Sequence, residues 1–168
     1  YTTLFRSSNV EILFRPFIHV EGIDAKEFRK QRIDLLAFTA VVFTSKVAID
    51  HYFRLAEEMR VNIPDTMKYF CVSEEVAVYL QKYIVYRKRK IFFSSVGKRV
   101  QDMIEVMKKH KEEKFLLPLS VVHKNDVPDA MAACNFTFSK AFLYQTVSSD
   151  LSDININDYQ ALVFFSPQ

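Results

Sequence analysis

The sequence predicts an α/β fold, with parallel strands in one sheet and helices covering both faces. Three observations carry this. Residues 38–53, FTAVVFTSKVAIDHYF, open as an apolar run of strand length and then become helix-periodic, with Val47, Ala48, Tyr52 and Leu55 able to share one face. The run is apolar at successive positions, as a strand buried on both faces requires. The same strand–turn–helix pattern recurs along the chain, and such alternation builds βαβ units with right-handed crossovers.

Taken in order, residues 1–8 read as a loop or the tail of a helix, and 10–20 as a strand that Pro16 demotes to an edge or a bend. Gly22 marks a turn, and Asp24 caps a helix over 25–36 with Phe28, Ile33 and Leu36 inward. The strand at 40–43 and a helix running to about 60 follow. A turn at 62–65 leads to a strand at 68–72, and Ser73-Glu74-Glu75 opens a helix to about 83, its two acids suited to the helix dipole. The basic run at 87–90 precedes a strand at 91–93. Ser94, Ser95 and Gly97 then lead to a helix over 99–110. A strand at 114–117 is followed by Ser120, and a helix at 127–133 takes Asp126 as cap and Pro128 in its first turn. A long strand at 136–147, a polar loop at 148–157 and a strand at 161–165 complete the chain.

This pattern predicts a flavodoxin-like parallel sheet for about 23–142. The run AVVFTS at 40–45 is echoed by ALVFFS at 161–166, and strands at both chain ends lie outside the central run. An apolar echo so short can equally arise by chance; taken with the terminal strands, it points to a second domain built from the termini and joined through two crossing strands. The residues left for it are too few to bury a core alone, so the sequence reads as part of a longer chain.

Composition removes several function classes. At 49% hydrophobic the chain can fill a core. Only 2 glycines are present, too few for the clustered phosphate loops of dinucleotide or nucleotide folds. A net charge of +3 tolerates an anionic ligand but is too weak to imply nucleic acid. Cys71 and Cys134 are isolated and lack metal spacing, which reads as reduced core thiols in a cytoplasmic protein. No apolar run reaches membrane-spanning length, so no membrane partner is expected. His19, His51, His110 and His123 have no ligand spacing and read as structural or solvated. Neither a GxSxG elbow nor a Cys–His pair supports hydrolysis.

The candidate site follows from the strand ends. Thr44, Ser45, Ser73, Ser94, Ser95, Ser120 and Ser166 each follow a strand, and in a parallel sheet those ends share one edge, where open α/β folds bind ligands. Small hydroxyls and helix N-termini there suit carboxylates or phosphates. Each serine can equally be a plain N-cap. The basic run at 87–90 can be a solvated loop or an attractor for a multiply charged anion. Tyr144, where the long strand leaves the central domain, can be packing or a weak acid.

The runs FRPFIHVEGI, FTAVVFTSKVAIDHYFRLAEE, IPDTMKYFCVSEEVAVYLQKYIVYRKRKIFF and LYQTV…DYQALVFFSP resemble uroporphyrinogen-III synthase, in the form associated with Bacteroidetes-type bacteria. The resemblance spans nearly the whole chain in consistent order. It implies a monomeric, cofactor-free, metal-free cytoplasmic enzyme of tetrapyrrole biosynthesis. Two flavodoxin-like α/β domains would be joined by a two-stranded linker: domain 1 from 1–19 and 148–168, linker strands at 20–24 and 142–147, and domain 2 at 25–141. The family's N-terminal strand–helix and C-terminal part are expected to be missing, leaving domain 1 only partly present. The substrate would be hydroxymethylbilane, a small polycarboxylate, closed to uroporphyrinogen III with inversion of its last ring. Thr44, Ser45, Lys46, Ser73, Ser94, Ser95, Ser120 and Ser166 would bind it, and Tyr144 would be the catalytic acid. Pro118-Leu-Ser120 stands where an Arg-Gly pair is expected, a departure at the fourth strand end. The competing readings are a non-catalytic two-lobed binding module for an anionic small molecule and a receiver-type signalling domain. Hydroxyls rather than an acidic cluster at the strand ends disfavour the second.

Overall fold

A computed structural model describes residues 12–97 and 99–163. The chain divides into two compact units, one of Tyr1–His19 with Val147–Gln168 and the other of Val20–Thr146. The boundaries fall within two strands, β1 (Ile18–Gly22) and β6 (Thr137–Ser148).

The larger unit holds the parallel sheet. After β1 and the short helix α1 (Ala25–Arg29) come β2 (Ala40–Phe43), α2 (Lys46–Glu58), β3 (Lys68–Cys71) and α3 (Glu74–Tyr79). Then follow β4 (Ile91–Phe93), α4 (Val100–Met107), β5 (Lys114–Ser120), α5 (Asp126–Ala133) and β6. The sheet order is β1-β6-β5-β2-β3-β4, and the ladders from β4 through β6 are parallel. The chain therefore steps outward from β2 to β4, then jumps back past β2 to β5 and β6. Crossovers of one hand put the first pair of helices on one face and the second pair on the other. The core agrees. Ala48, Ile49, Tyr52 and Leu55 of α2 and Val76, Ala77 and Leu80 pack with Val41, Phe43, Tyr69 and Cys71. Met103, Ile104 and Met107 of α4 and Met131 of α5 pack with Val42, Phe70, Phe115 and Leu117 on the opposite face. Strands β2 and β3 are buried on both faces, which is why their sequences read as unbroken apolar runs.

Several elements depart from expectation. The helix expected over 25–36 ends at Arg29, although Asp24 caps it as predicted, accepting from Glu27 N–H at 2.7 Å. Arg32 then takes a left-handed conformation (φ 55), and a 3-10 turn at Leu35–Ala37 restarts with a new register. Leu35 is buried in place of the predicted Leu36. The interruption turns Gln31 toward β6, where its side chain replaces a neighbouring strand. Nε2 donates to Phe142 C=O at 2.7 Å and Oε1 accepts from Phe142 N–H at 2.9 Å. Gln31→Ala leaves both groups unpaired and is expected to cost about 2 kcal/mol in urea unfolding. A variant within about 0.5 kcal/mol of the parent would mean that water replaces the amide.

Of the predicted N-terminal strand, residues 12–17 are not strand and the strand begins at Ile18 past the bend at Phe17; residues 10–11 lie outside the described residues. Residues 161–163 form no strand; the rest of that predicted strand, and Ser166, lie outside the described residues. Gly22 closes β1 instead of making a turn. A Cβ there would lie 2.7 Å from Arg54 Nη2, so glycine provides room for a guanidinium. In the smaller unit, Phe17 C=O accepts from Ser149 N–H at 2.8 Å, His19 Nδ1 meets Ser149 Oγ at 3.1 Å, and Arg15 pairs with Asp153.

Candidate active site

Because the ladders are parallel, the strand ends that precede Ser94-Ser95, Ser73, Thr44-Ser45 and Val121 lie along one edge, in the order β4, β3, β2, β5. Between β2 and β5 the winding reverses, the position where open α/β sheets form a crevice. A local feature also shortens the pairing there. Lys114 bonds to Thr39, so even-numbered residues of β5 face β2. Pro118 faces the same way and has no N–H to give. The β2–β5 ladder accordingly comprises Ala40–Phe115 and Val41–Leu116, whereas pairing with β6 continues to Ser120. The proline that replaced an expected Arg-Gly pair thus ends the ladder beside Thr44 and Ser120.

The rim hydroxyls are partly committed to the backbone. Ser45 Oγ caps α2, accepting from Ala48 N–H at 3.1 Å, and Ser73 Oγ caps α3, accepting from Val76 N–H at 3.4 Å. Ser94 Oγ accepts from Val96 N–H at 3.2 Å, while Ser95 is exposed. A hydroxyl that accepts still has its own proton to donate, so capping and anion binding are compatible. The helix starts differ in charge. Helix α2 has no acid in its first turn and begins with the exposed Lys46, whereas α3 begins with Glu74 and Glu75, α4 carries Asp102, and α5 carries Asp126 and Asp129. The favourable place for a carboxylate is therefore the start of α2, with Thr44, Ser45 and Lys46. Lys46 Nζ lies 5.7 Å from the centre of the Tyr79 ring. Ser73 is buried, and Ser120 Oγ and His123 Nε2 are buried polar atoms without a partner among the described residues.

Tyr144 reaches this edge through a bulge. Leu119 pairs with Phe142 and Ser120 with Tyr144, so Leu143 is an extra residue in β6. Alternation alone would send Tyr144 to the face of Phe142. Instead its ring packs on the α2 side, stacked on His51 with centroids 5.1 Å apart and planes at 19°. His51 was read from sequence as structural or solvated, and a contact so distant in the chain left no local signal there.

Other expectations separate from the edge. The basic run at 87–90 precedes β4 and so lies at the opposite end of the sheet, with Arg87 and Lys90 each 3.7 Å from Asp65. It does not join the hydroxyl rim. A groove of about 510 Å³ lined by Asp50, Phe53, Arg54 and Tyr83, and one of about 360 Å³ lined by Phe38, Thr39, Lys68 and Glu113, likewise include no rim residue. Both cysteines are free, and burial pushes the Cys71 thiol up to about 12, making it inert. His110, Glu112 and Glu113 come together before β5, but Glu113 is already paired with Lys68. Burial opposes ionisation of Glu113, and hydrogen bonds from Lys68 and Thr39 outweigh it, so its carboxyl is held below the ordinary 4.5. A lowered folded value stabilises above the ordinary one and loses that stability as pH falls through the folded value. Glu113→Gln is expected to flatten the acid limb of the stability curve below about pH 4.5; an unchanged limb would remove Glu113 as its source.

The chain is similar in fold to uroporphyrinogen III synthase from the extremely thermophilic bacterium Thermus thermophilus (a mutant form), with a TM-score of 0.61 at 10% identity, covering 88% of this chain and 58% of that one. It is also similar to uroporphyrinogen-III synthetase from Helicobacter pylori 26695, with a TM-score of 0.52 at 18% identity, covering 80% of this chain and 55% of that one. The chain thus spans a little over half the length of these proteins. No curated protein sequence matches it. Among the described residues no helix is long and apolar enough to cross a membrane. The family model described as Uroporphyrinogen-III synthase HemD matches residues 1–168, and the chain belongs to the uroporphyrinogen-III synthase family.

Proposed function

We propose that the full-length protein is a uroporphyrinogen-III synthase, a cyclising lyase acting on hydroxymethylbilane as a cytoplasmic monomer. Family membership supports the reaction class. The observation that carries the reading is the edge itself, where hydroxyls follow the strands on both sides of the β2–β5 reversal and a tyrosine sits opposite Ser120. The substrate carries eight carboxylates. Thr44, Ser45 and Lys46 at the start of α2 take one group, and Ser73, Ser94, Ser95 and Ser120 take others along the rim, with Ser166 a further candidate from the sequence. Tyr144 donates a proton to the departing hydroxyl, which leaves as water and creates an electrophilic azafulvene. The substituted carbon of the terminal pyrrole attacks it, giving a spiro intermediate. That intermediate fragments and recloses with the last ring inverted, and loss of a proton restores aromaticity. The nucleophilic carbon belongs to the substrate, so the reading needs no cofactor, and catalysis lies in positioning and electrostatics.

The test is to incubate the full-length protein with hydroxymethylbilane and separate the product isomers. Isomer III is expected to predominate. Isomer I alone, which the free bilane forms unaided, would overturn the reading in favour of a binding module.

A further inference from the structure

We propose that His51 is a positioning residue for Tyr144, itself held by Arg54; this rests on the reading of Tyr144 as the acid. The His51 ring lies against the phenol at 5.1 Å. Arg54 Nε donates to His51 Nδ1 at 3.2 Å, which uses that lone pair and leaves the ring proton on Nε2. Burial lowers the pKa of His51 and the neighbouring Arg54 charge lowers it further, consistent with a neutral acceptor ring.

The same guanidinium holds the backbone from which Tyr144 hangs. Arg54 Nη2 donates to Ile23 C=O at 2.7 Å and lies 3.5 Å from the C=O of Leu143, the bulge residue just before Tyr144. Nη1 pairs with Glu58. One planar cation therefore fixes both the bulge that turns the phenol and the ring on which it rests. Gly22 belongs to the device, because any side chain there would displace the guanidinium. Acting on the acid without touching substrate, His51 and Arg54 govern turnover rather than binding.

The experiment compares His51→Ala, Tyr144→Phe and the double variant in the full-length protein. His51→Ala is expected to lower kcat about tenfold or more with KM nearly unchanged, since a misplacement of about 1 Å can cost up to about a hundredfold. The double variant is expected to be no slower than Tyr144→Phe alone, because a residue acting through another adds nothing once that other is gone. His51→Phe, which keeps a ring on the phenol, is expected to recover most of the loss. Multiplying effects in the double variant, or a folded His51→Phe with no recovery, would overturn the proposal. A second readout is independent of turnover. The ring resonances of Tyr144 in 13C-tyrosine-labelled protein, assigned by their absence in Tyr144→Phe, are expected to shift in Gly22→Ala, which keeps the His51 ring and displaces only the guanidinium. Unmoved resonances in Gly22→Ala would refute the positioning role. Should the parent protein make no isomer III, the acid role of Tyr144 fails, and this shift still decides whether Arg54 helps to place the ring.

Discussion

Phe70→Ala is expected to destabilise the protein by about 3–5 kcal/mol, the usual range for deleting a buried phenyl ring. Phe70 is fully buried in β3, stacked on Phe92 at 4.8 Å and meeting Phe115 edge-on at 5.3 Å. His110 closes the cluster from a third side at 5.3 Å. Strand β3 is hydrogen-bonded to β2 and β4, so its backbone has little freedom to collapse into the gap. A domain has only about 5–15 kcal/mol to lose, so much of the margin would go. Urea unfolding measures this, with Val78→Ala as a control on the exposed side of α3, expected within about 0.5 kcal/mol of the parent. A loss below about 1 kcal/mol for Phe70→Ala would mean that the surrounding rings close over the space.

Tyr144→Phe is expected to slow turnover about tenfold to a hundredfold in the full-length protein, at or below the lower end of the roughly hundredfold to ten-thousandfold that a positioned acid contributes. In the proposed reaction the effect is bounded, because free hydroxymethylbilane closes unaided. The substitution keeps the ring, and so keeps the stack on His51 and the packing against α2. KM is therefore expected to change little. A slower enzyme also competes less well with spontaneous closure, so the fraction of isomer I should rise as kcat falls. Parental turnover with an unchanged isomer ratio would remove the acid role and leave Tyr144 as packing.

The strands at 40–43, 68–71 and 91–93 were legible to within a residue, because each is a short apolar run ended by a hydroxyl or a capping residue. The break in the first helix was not. It depends on Gln31 reaching Phe142, a partner far along the chain. The distribution of charge around the rim was half legible. The acids opening α3 are visible in the sequence, but that the basic run lies at the far end of the sheet follows from its place before β4. Gly22 was misread because a glycine that admits a guanidinium looks, in sequence, like one that makes a turn.

The chain by itself determined its α/β class, the alternation that makes the sheet parallel, and hence the common edge to which the hydroxyls belong. Periodicity and capping are local properties, and parallel pairing carries them to one side of the sheet. Only the tertiary structure decided the order of the strands, the early end of the β2–β5 ladder at Pro118, and the bulge that lays Tyr144 on His51. Those depend on which residues meet across the sheet, and packing between distant segments sets that.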